Sequence, residues 1–275
     1  MKPEMLSPTN QIGIIGCGHL GRTLAKVLID HQFPRENLKI SFSGNPATLE
    51  SIQNAGLFEN IADNDEICRK SNIIFLAIKP QDLKALKKMI ISQEATLVSC
   101  MAGVSTATFQ SVLGINAVRI MPSGPDTIQQ GRGIVALFPH HELVSDILSF
   151  MGFEVYEAGS EEWLHPFTAG VCLPAALLVA KQFNLKIEED IKTLEKEYSG
   201  LGFGDIYQWA LNVMPVLESE VEPGEFIRKM MTKGGITEAI VESLRSDKDF
   251  LEAIHKGIYR SKEIAERTHS LLDEL

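Results

Sequence analysis

The stretch QIGIIGCGHLGRTLAKVLI, residues 11–29, limits the folds open to this chain more than any other part of the sequence. A short apolar run leads into Gly16, Gly18 and Gly21, and a helical apolar face follows these glycines. The spacing G-x-G-x-x-G between a buried strand and a helix is typical of the first βαβ unit of a dinucleotide-binding domain. The alternative is a glycine-rich turn that binds nothing, and the strand and helix on either side favour the nucleotide site.

Each of the three glycines is required for a different physical reason in such a unit. A side chain at Gly16 would obstruct the tight turn, and one at Gly18 would hold the pyrophosphate away from the backbone. A side chain at Gly21 would separate the helix from the strand. The exposed N–H groups at the positive end of the helix then bind the phosphates.

Composition excludes several other classes of function. The chain has 275 residues, which favours two domains, and its 36 acidic and 26 basic residues give a net charge of −10. Such a charge disfavours binding to nucleic acid or to an anionic membrane. Four cysteines, at positions 17, 68, 100 and 172, lack the spacing of a metal or redox site and indicate a reduced compartment. The first ten residues lack a signal-peptide core, and residues 169–180 are too short to span a membrane. We therefore expect a cytoplasmic protein without a metal.

The chain changes character near residue 160. Before that point, apolar runs bounded by turn residues predict further strands at 37–42, 71–78, 96–99, 117–121, 133–138 and 154–157. After it, the pattern predicts helices at 162–183, 187–201, 203–219, 225–231, 236–245 and 249–275. The expected fold is α/β, with an N-terminal Rossmann-type dinucleotide-binding domain over 1–160 and an all-α C-terminal dimerisation domain over 161–275. The apolar residues of these helices exceed one amphipathic stripe, which predicts a homodimer or a higher homo-oligomer.

The end of the second strand bears on the choice of cofactor. An acidic residue there would accept both ribose hydroxyls of NAD, but Ser41 to Asn45 contain no Asp or Glu. This favours NADPH over NADH, with Ser43 and Asn45 as uncharged donors to the 2′-phosphate, or else as caps of the following helix. The ends of parallel strands meet at one rim, so later strand ends also reach the cofactor. The predicted cofactor residues are Gly16, Cys17, Gly18, His19, Leu20, Gly21, Ser43, Asn45, Ala77, Lys79, Pro80, Ala102 and Gly103.

Several motifs extend along nearly the whole chain. They are IGIIGCGHLG, FLAIKPQD, SCMAGVS, AVRIMPSGP, EPGEFIRKMMTKGGITEA and IYRSKEIAE. Together they resemble the pyrroline-5-carboxylate reductase family, enzymes that reduce a cyclic imine to proline with a nicotinamide cofactor. The Glu-x-x-Pro-Gly stretch followed by Gly-Gly-x-Thr is the most specific part of this resemblance. It implies hydride transfer from NADPH to a small cyclic imine, 1-pyrroline-5-carboxylate in the first place, held between the two domains.

The resemblance also implies substrate residues. Thr232, Gly234, Gly235 and Thr237 match the family segment Ser-Pro-Gly-Gly-Thr-Thr, whose amides and hydroxyls hold the substrate carboxylate and ring nitrogen. Thr237 would hydrogen-bond the imine nitrogen, and Glu220 matches an acidic residue near the pocket; these two are the catalytic candidates. The alternatives are that Thr232 caps a helix and that Glu220 lies on a solvated face.

Departures from the family pattern leave other functions open. Lys233 and Ile236 replace a proline and a threonine, and Ser123-Gly124 replaces Asn-Thr. Residues 167–174, FTAGVCLP, stand where the family has a stretch resembling Thr-Ala-Leu-Ser-Gly-Ser-Gly-Pro. The rival hypotheses are a related reductase acting on a different imine or keto acid, and a non-catalytic NADP-binding regulatory protein. His140, His141 and His165 are expected at the surface or at helix caps rather than in catalysis.

Overall fold

Seven strands form a single sheet in the N-terminal part of the chain. The structure is a computed structural model and describes residues 10–215 and 221–273. The strands are β1 (Ile12–Ile15), β2 (Leu38–Ser41), β3 (Ile73–Leu76), β4 (Thr96–Ser99), β5 (Ala117–Pro122), β6 (Ile134–Phe138) and β7 (Glu154–Glu157). Their order in the sheet is β2-β1-β3-β4-β5-β6-β7. The first five strands run parallel to one another, and β6 runs antiparallel to β5.

Strand β1 lies between β2 and β3 in the sheet, so the next two strands of the chain pair with its two edges. It pairs with β2 through Ile12 and Leu38 and with β3 through Ile12 and Ile73. The strand order therefore reverses at β1, and a ligand crevice is expected beyond the carboxyl end of a strand at such a point. Ile14 packs into one apolar cluster and Ile15 into another, so both faces of β1 are covered, as a parallel sheet requires.

Helices connect the strands of this sheet. They are α1 (His19–Asp30), α2 (Pro46–Asn54), α3 (Asn64–Lys70), α4 (Thr106–Leu113), α5 (Pro125–Gln129) and α6 (Glu142–Phe150). The lysine-rich segment Pro80–Lys88 forms a 3₁₀ helix rather than an α-helix. Together the sheet and these helices confirm the predicted Rossmann-type fold of the N-terminal part.

The described residues of the C-terminal part form helices, as the sequence predicts. Its helices are α7 (Leu164–Gly170), α8 (Leu173–Gln182), α9 (Glu188–Glu197), α10 (Phe203–Val213), α11 (Val221–Met230), α12 (Ile236–Asp247) and α13 (Phe250–Asp273). The single helix expected over 162–183 is broken between α7 and α8, just before Pro174. Proline lacks an N–H and clashes with the preceding turn, so it is tolerated in the first turn of a helix and not in its interior.

The chain divides into two compact units. Within the described residues, one unit comprises 10–155 with 268–273, and the other comprises Tyr156–Arg267. In the second unit, α8 is buried from Leu173 to Ala180 and packs against α12. In the described part of the chain, no single helix has the length and apolar character to cross a membrane, although the bent pair Glu161–Gly170 and Leu173–Gln182 meets that test by length and composition.

Candidate active site

Two of the three motif glycines are required by packing within the protein. Gly16 has a φ of +98°, and a Cβ placed on it would lie 2.7 Å from the carbonyl oxygen of Ala77. A Cβ on Gly21 would lie 2.2 Å from the carbonyl oxygen of Gly16. These positions make the tight turn after β1 and the close approach of α1 to it, as the sequence predicts.

Gly18 is different, because nothing in the protein requires a glycine there. Its φ of −72° lies outside the left-handed region that favours glycine, and a Cβ on it would meet no atom within 4 Å in the described protein. Gly18 is also the N-cap residue of α1, which carries no side-chain cap and no acidic residue in its first turn. The structure therefore leaves open space at a positive helix end, where an anionic group fits.

A cavity of about 520 Å³ opens at this turn. Six of the predicted cofactor residues line it, namely Gly16, Cys17, Gly18, Ser43, Ala77 and Lys79. Sequence reasoning missed five further polar lining residues, Ser41, Thr48, Asn64, Gln81 and Asp82. As far as the chain is described, the lining does not include the other predicted residues, His19, Leu20, Gly21, Asn45, Pro80, Ala102 and Gly103. The cavity joins the ends of β1, β2 and β3, so the topology brings together loops that are distant in sequence.

The end of β2 is held by its own hydrogen bonds. The Ser41 carbonyl accepts from the amides of Gly16 and Cys17 at 3.2 and 2.7 Å, and the Ser41 hydroxyl donates to Oδ1 of Asn64 at 2.5 Å. Asn45 accepts from the amides of Ala47 and Thr48 at 2.9 and 3.3 Å, so it caps α2. Capping was the alternative that the sequence left open for Asn45, whereas Ser43 faces the cavity.

The predicted substrate turn lies in the helical unit and is bonded internally. Gly234 has a φ of +71°, and its amide donates to Oε2 of Glu238 at 2.6 Å. Its carbonyl accepts from Nε and Nη2 of Arg260 at 2.9 and 2.7 Å. The amide of Gly235 donates to the Thr232 carbonyl at 2.7 Å. The two glycine amides expected to hold a carboxylate are thus engaged within the turn itself.

The first turn of α12 supplies other donors. The backbone bond that closes this turn runs from the Ala239 amide to the Gly235 carbonyl at 3.2 Å, so the amides of Ile236 and Thr237 precede it. The Thr237 side chain is 8% exposed, and its hydroxyl donates to Sγ of Cys172 at 3.2 Å. Thr232 and Lys233 are exposed. Glu220, the other catalytic candidate, lies outside the described residues.

Cys172, Glu238 and Arg260 were missed by sequence reasoning as members of this site. Glu238 stands three residues after Gly235, the N-cap residue of α12, which is the capping-box spacing and was a usable signal. Cys172 is 65 residues from Thr237, and no local pattern connects them. Burial raises the pKa of the Cys172 thiol to about 11, partly offset by the hydrogen bond from Thr237.

His165 does not lie where the sequence predicts it. His165 is buried, and its Nδ1 lies 2.9 Å from Oγ of Ser261, so the expectation of a surface or capping position is wrong for it. The helix around it is buried throughout, which the apolar sequence of 164–170 explains. Within residues 10–215 and 221–273, the structure shows no group of three His, Cys, Asp or Glu side chains able to hold a metal ion.

Comparison with known proteins shows similarity over nearly the full length. Residues 11–103 match a family model described as NADP oxidoreductase, coenzyme F420-dependent. Pyrroline-5-carboxylate reductases of Pseudomonas aeruginosa and Aquifex aeolicus are 27% and 24% identical to the chain; each alignment covers 94% of it, and 98% and 97% of the relative. The solved structure of a Coxiella burnetii pyrroline-5-carboxylate reductase is similar in fold, with a TM-score of 0.59 at 21% identity over 94% of this chain and 99% of that one. A Plasmodium falciparum pyrroline carboxylate reductase with NADP bound has a TM-score of 0.57 at 22% identity, with the coverage again 94% and 99%.

Proposed function

Because this chain is a divergent member of the pyrroline-5-carboxylate reductase family, we propose that it reduces a cyclic imine by hydride transfer from NADPH. The substrate proposed first is 1-pyrroline-5-carboxylate, and the product is proline. The coarser statement, an oxidoreductase that uses a nicotinamide cofactor, follows from the family. The choice of NADPH and of this imine is our proposal.

One observation carries the cofactor half of this proposal. Gly18 faces open space and has a negative φ, while Gly16 and Gly21 are explained by contacts inside the protein. A glycine-rich turn that binds nothing would need glycine at the first and third positions but not at the open position between them. The pyrophosphate of a dinucleotide accounts for a glycine at 18, because it must approach the backbone closely.

The residues around the end of β2 support NADPH. Ser43 and Thr48 line the cavity there with hydroxyl groups, and Asn64 adds an amide. Residues 41–45 contain no carboxylate, so that end of the strand presents none to repel a 2′-phosphate. After the end of β3, Lys79 adds a positive charge to the same lining and Asp82 adds a negative one. NADPH is therefore proposed on the residues at the end of β2.

The turn before α12 supports the substrate half. The amides at the start of α12 are placed to attract a carboxylate, and Thr237 offers a buried hydroxyl one residue after the helix begins. When bound, the reduced nicotinamide supplies the hydride that the imine carbon accepts. The protein has to orient the imine, exclude water and hold its nitrogen, and Thr237 is proposed for the last task.

A second substrate class has an observation in its favour. Glu238 places its own carboxylate on the Gly234 amide, and this contact competes with a substrate carboxylate. A cyclic imine without a carboxylate would leave that contact undisturbed. The two substrate classes are therefore compared directly in the experiment below.

The test is NADPH oxidation, followed by absorbance, with 1-pyrroline-5-carboxylate and with 1-pyrroline as alternative substrates. Thr237→Ala is measured beside Thr193→Ala, a control threonine exposed on α9. We expect turnover that Thr237→Ala abolishes and Thr193→Ala preserves. NADPH binding without turnover of any cyclic imine would overturn the proposal and favour a non-catalytic NADP-binding protein. Turnover unaffected by Thr237→Ala would remove that residue from the site.

A further inference from the structure

Three buried groups in the helical unit form a directed chain of hydrogen bonds. The Thr237 hydroxyl donates to Sγ of Cys172 at 3.2 Å, and the Cys172 thiol donates to the carbonyl oxygen of Thr168 at 3.3 Å. The exposed fractions of Thr237, Cys172 and Thr168 are 8%, 7% and 8%. Water therefore has little access to these three groups to rearrange their hydrogen bonds.

The last member determines the direction of every bond. A backbone carbonyl has no proton and can only accept, so the single thiol proton of Cys172 is committed to Thr168. The sulfur is then left as an acceptor, and the single hydroxyl proton of Thr237 is committed to it. The Thr237 oxygen consequently presents lone pairs, and no proton, to any other partner. Burial raises the pKa of the thiol to about 11, so its proton remains in place at neutral pH.

From this geometry we infer that Cys172 is a positioning residue that makes Thr237 a hydrogen-bond acceptor for the substrate nitrogen. The inference rests on the proposed function. It specifies the form of the substrate that the site takes, which is the protonated imine, whose N–H donates to the Thr237 oxygen. A neutral imine nitrogen has only a lone pair, and it would face the lone pairs of Thr237.

The chemical step balances without a proton from the protein. When bound, the proposed cofactor would supply the hydride that adds to the carbon of the C=N–H⁺ group. The π electron pair of that double bond moves to nitrogen, and a neutral secondary amine is formed while the cofactor is oxidised. The nitrogen keeps its N–H throughout, so the hydrogen bond to Thr237 is available to both substrate and product.

Binding of two product analogues tests the inference without turnover. L-Proline carries N–H donors, and tetrahydrofuran-2-carboxylate has an ether oxygen in their place. The affinity ratio of the two ligands is measured by calorimetry with NADP⁺ present. Wild-type protein is expected to prefer proline, and Cys172→Ala is expected to reduce this preference by roughly tenfold, the effect of one hydrogen bond, since the Thr237 hydroxyl is then free to donate. Cys172→Ser is expected to restore the wild-type ratio, because its hydroxyl also accepts and donates.

Cys68→Ala provides the matched control. Cys68 is likewise buried, and its thiol donates to Sδ of Met89 at 3.9 Å within the other compact unit. A loss of packing alone would lower both ligand affinities together and leave the ratio unchanged. An unchanged ratio in Cys172→Ala would therefore overturn the inference while leaving the proposed function intact.

A spectroscopic measurement keeps the inference testable if neither ligand binds. The infrared S–H stretching band of Cys172 is obtained as the difference between wild-type protein and Cys172→Ala. We expect it at lower frequency than the band of a thiol that does not donate, with a rise in Thr237→Val, where the sulfur no longer accepts a bond. A band insensitive to Thr237→Val would contradict the assigned direction. Failure of both ligands to bind, with this band shift present, would count against the proposed function alone.

Discussion

The Oε2 atom of Glu238 lies 2.6 Å from the backbone nitrogen of Gly234, on an amide that the family resemblance assigns to the substrate carboxylate. The contact resembles a capping box, in which a side chain at the third helical position accepts from the N-cap amide. Here, however, the amide belongs to Gly234, one residue before the N-cap Gly235. In this chain one side chain thus stabilises the start of α12 and covers a candidate anion site. Stabilising the start of α12 and covering the anion site affect different properties, stability and substrate binding, so substitution of Glu238 separates the two roles.

Glu238→Ala is expected to lower the KM for 1-pyrroline-5-carboxylate by roughly tenfold, because the Gly234 amide becomes available to the substrate. The KM for 1-pyrroline, which has no carboxylate, should change little. Loss of the cap should reduce the free energy of unfolding by about 1 kcal/mol. Steady-state kinetics and urea denaturation measure the two effects, with Glu242→Ala, exposed one turn further along α12, as control. Equal changes in KM for both imines would contradict the assignment.

Gly21→Ala should lower the stability of the fold, whereas Gly18→Ala should lower the affinity for NADPH. A Cβ at position 21 meets the Gly16 carbonyl, so Gly21→Ala should destabilise the fold by about 1–3 kcal/mol. A Cβ at position 18 meets nothing, so Gly18→Ala should fold normally while its affinity for NADPH falls roughly tenfold or more. Thermal denaturation and a fluorescence titration with NADPH distinguish these outcomes. Unchanged NADPH affinity in Gly18→Ala would place the cofactor elsewhere.

Ser43→Asp tests the choice of cofactor. A carboxylate at the end of β2 would repel a 2′-phosphate and accept hydrogen bonds from the ribose hydroxyls of NADH. The ratio of NADPH to NADH affinity should fall by roughly tenfold or more. Asn45→Ala is the informative comparison, since loss of the α2 cap should cost about 1 kcal/mol of stability without changing that ratio. If Asn45→Ala shifts the ratio and Ser43→Asp does not, Asn45 is the cofactor residue.

Cys172 should make the stability of the protein depend on alkaline pH. Its pKa is raised from 9.0 to about 11 by burial, so between these values the unfolded chain releases a proton that the folded chain keeps. The free energy of unfolding should therefore fall as pH rises through this range, by up to about 1.4 kcal/mol per pH unit from this thiol. Urea denaturation of wild-type protein and Cys172→Ser at several pH values measures the difference. Parallel pH dependences would show that Cys172 contributes nothing.

The parts of the fold that sequence reasoning predicts best are those with a local physical cause. Strand β1 lies on the apolar run that leads into Gly16, and the strand at 96–99 has the predicted bounds, because short apolar runs there are closed by glycine or polar residues. The division of helix 162–183 was missed, although Pro174 is visible in the sequence. The continuous apolar pattern on both sides outweighed the one residue that cannot occupy a helix interior.

The candidate site was predictable only in its backbone. The glycines at 16, 18 and 21 were found because backbone conformation and close approach restrict the residue type at such positions. The cavity residues Thr48 and Asn64 were not found, since they reach the same place only through the pairing of β2 with β1. The partners of Thr237 and Gly234 depend on helix packing and on side-chain rotamers, which no local pattern records.

The two hydrogen bonds from Arg260 to the Gly234 carbonyl bear on how the protein is made. The donor is 26 residues further along the chain than its acceptor, so the turn cannot acquire these bonds until Arg260 has emerged from the ribosome. The turn at Gly16 depends on Ala77, which is synthesised much earlier. In a nascent chain, Ser41 and Ala77 can therefore contact the turn at Gly16 long before the turn at Gly234 is complete.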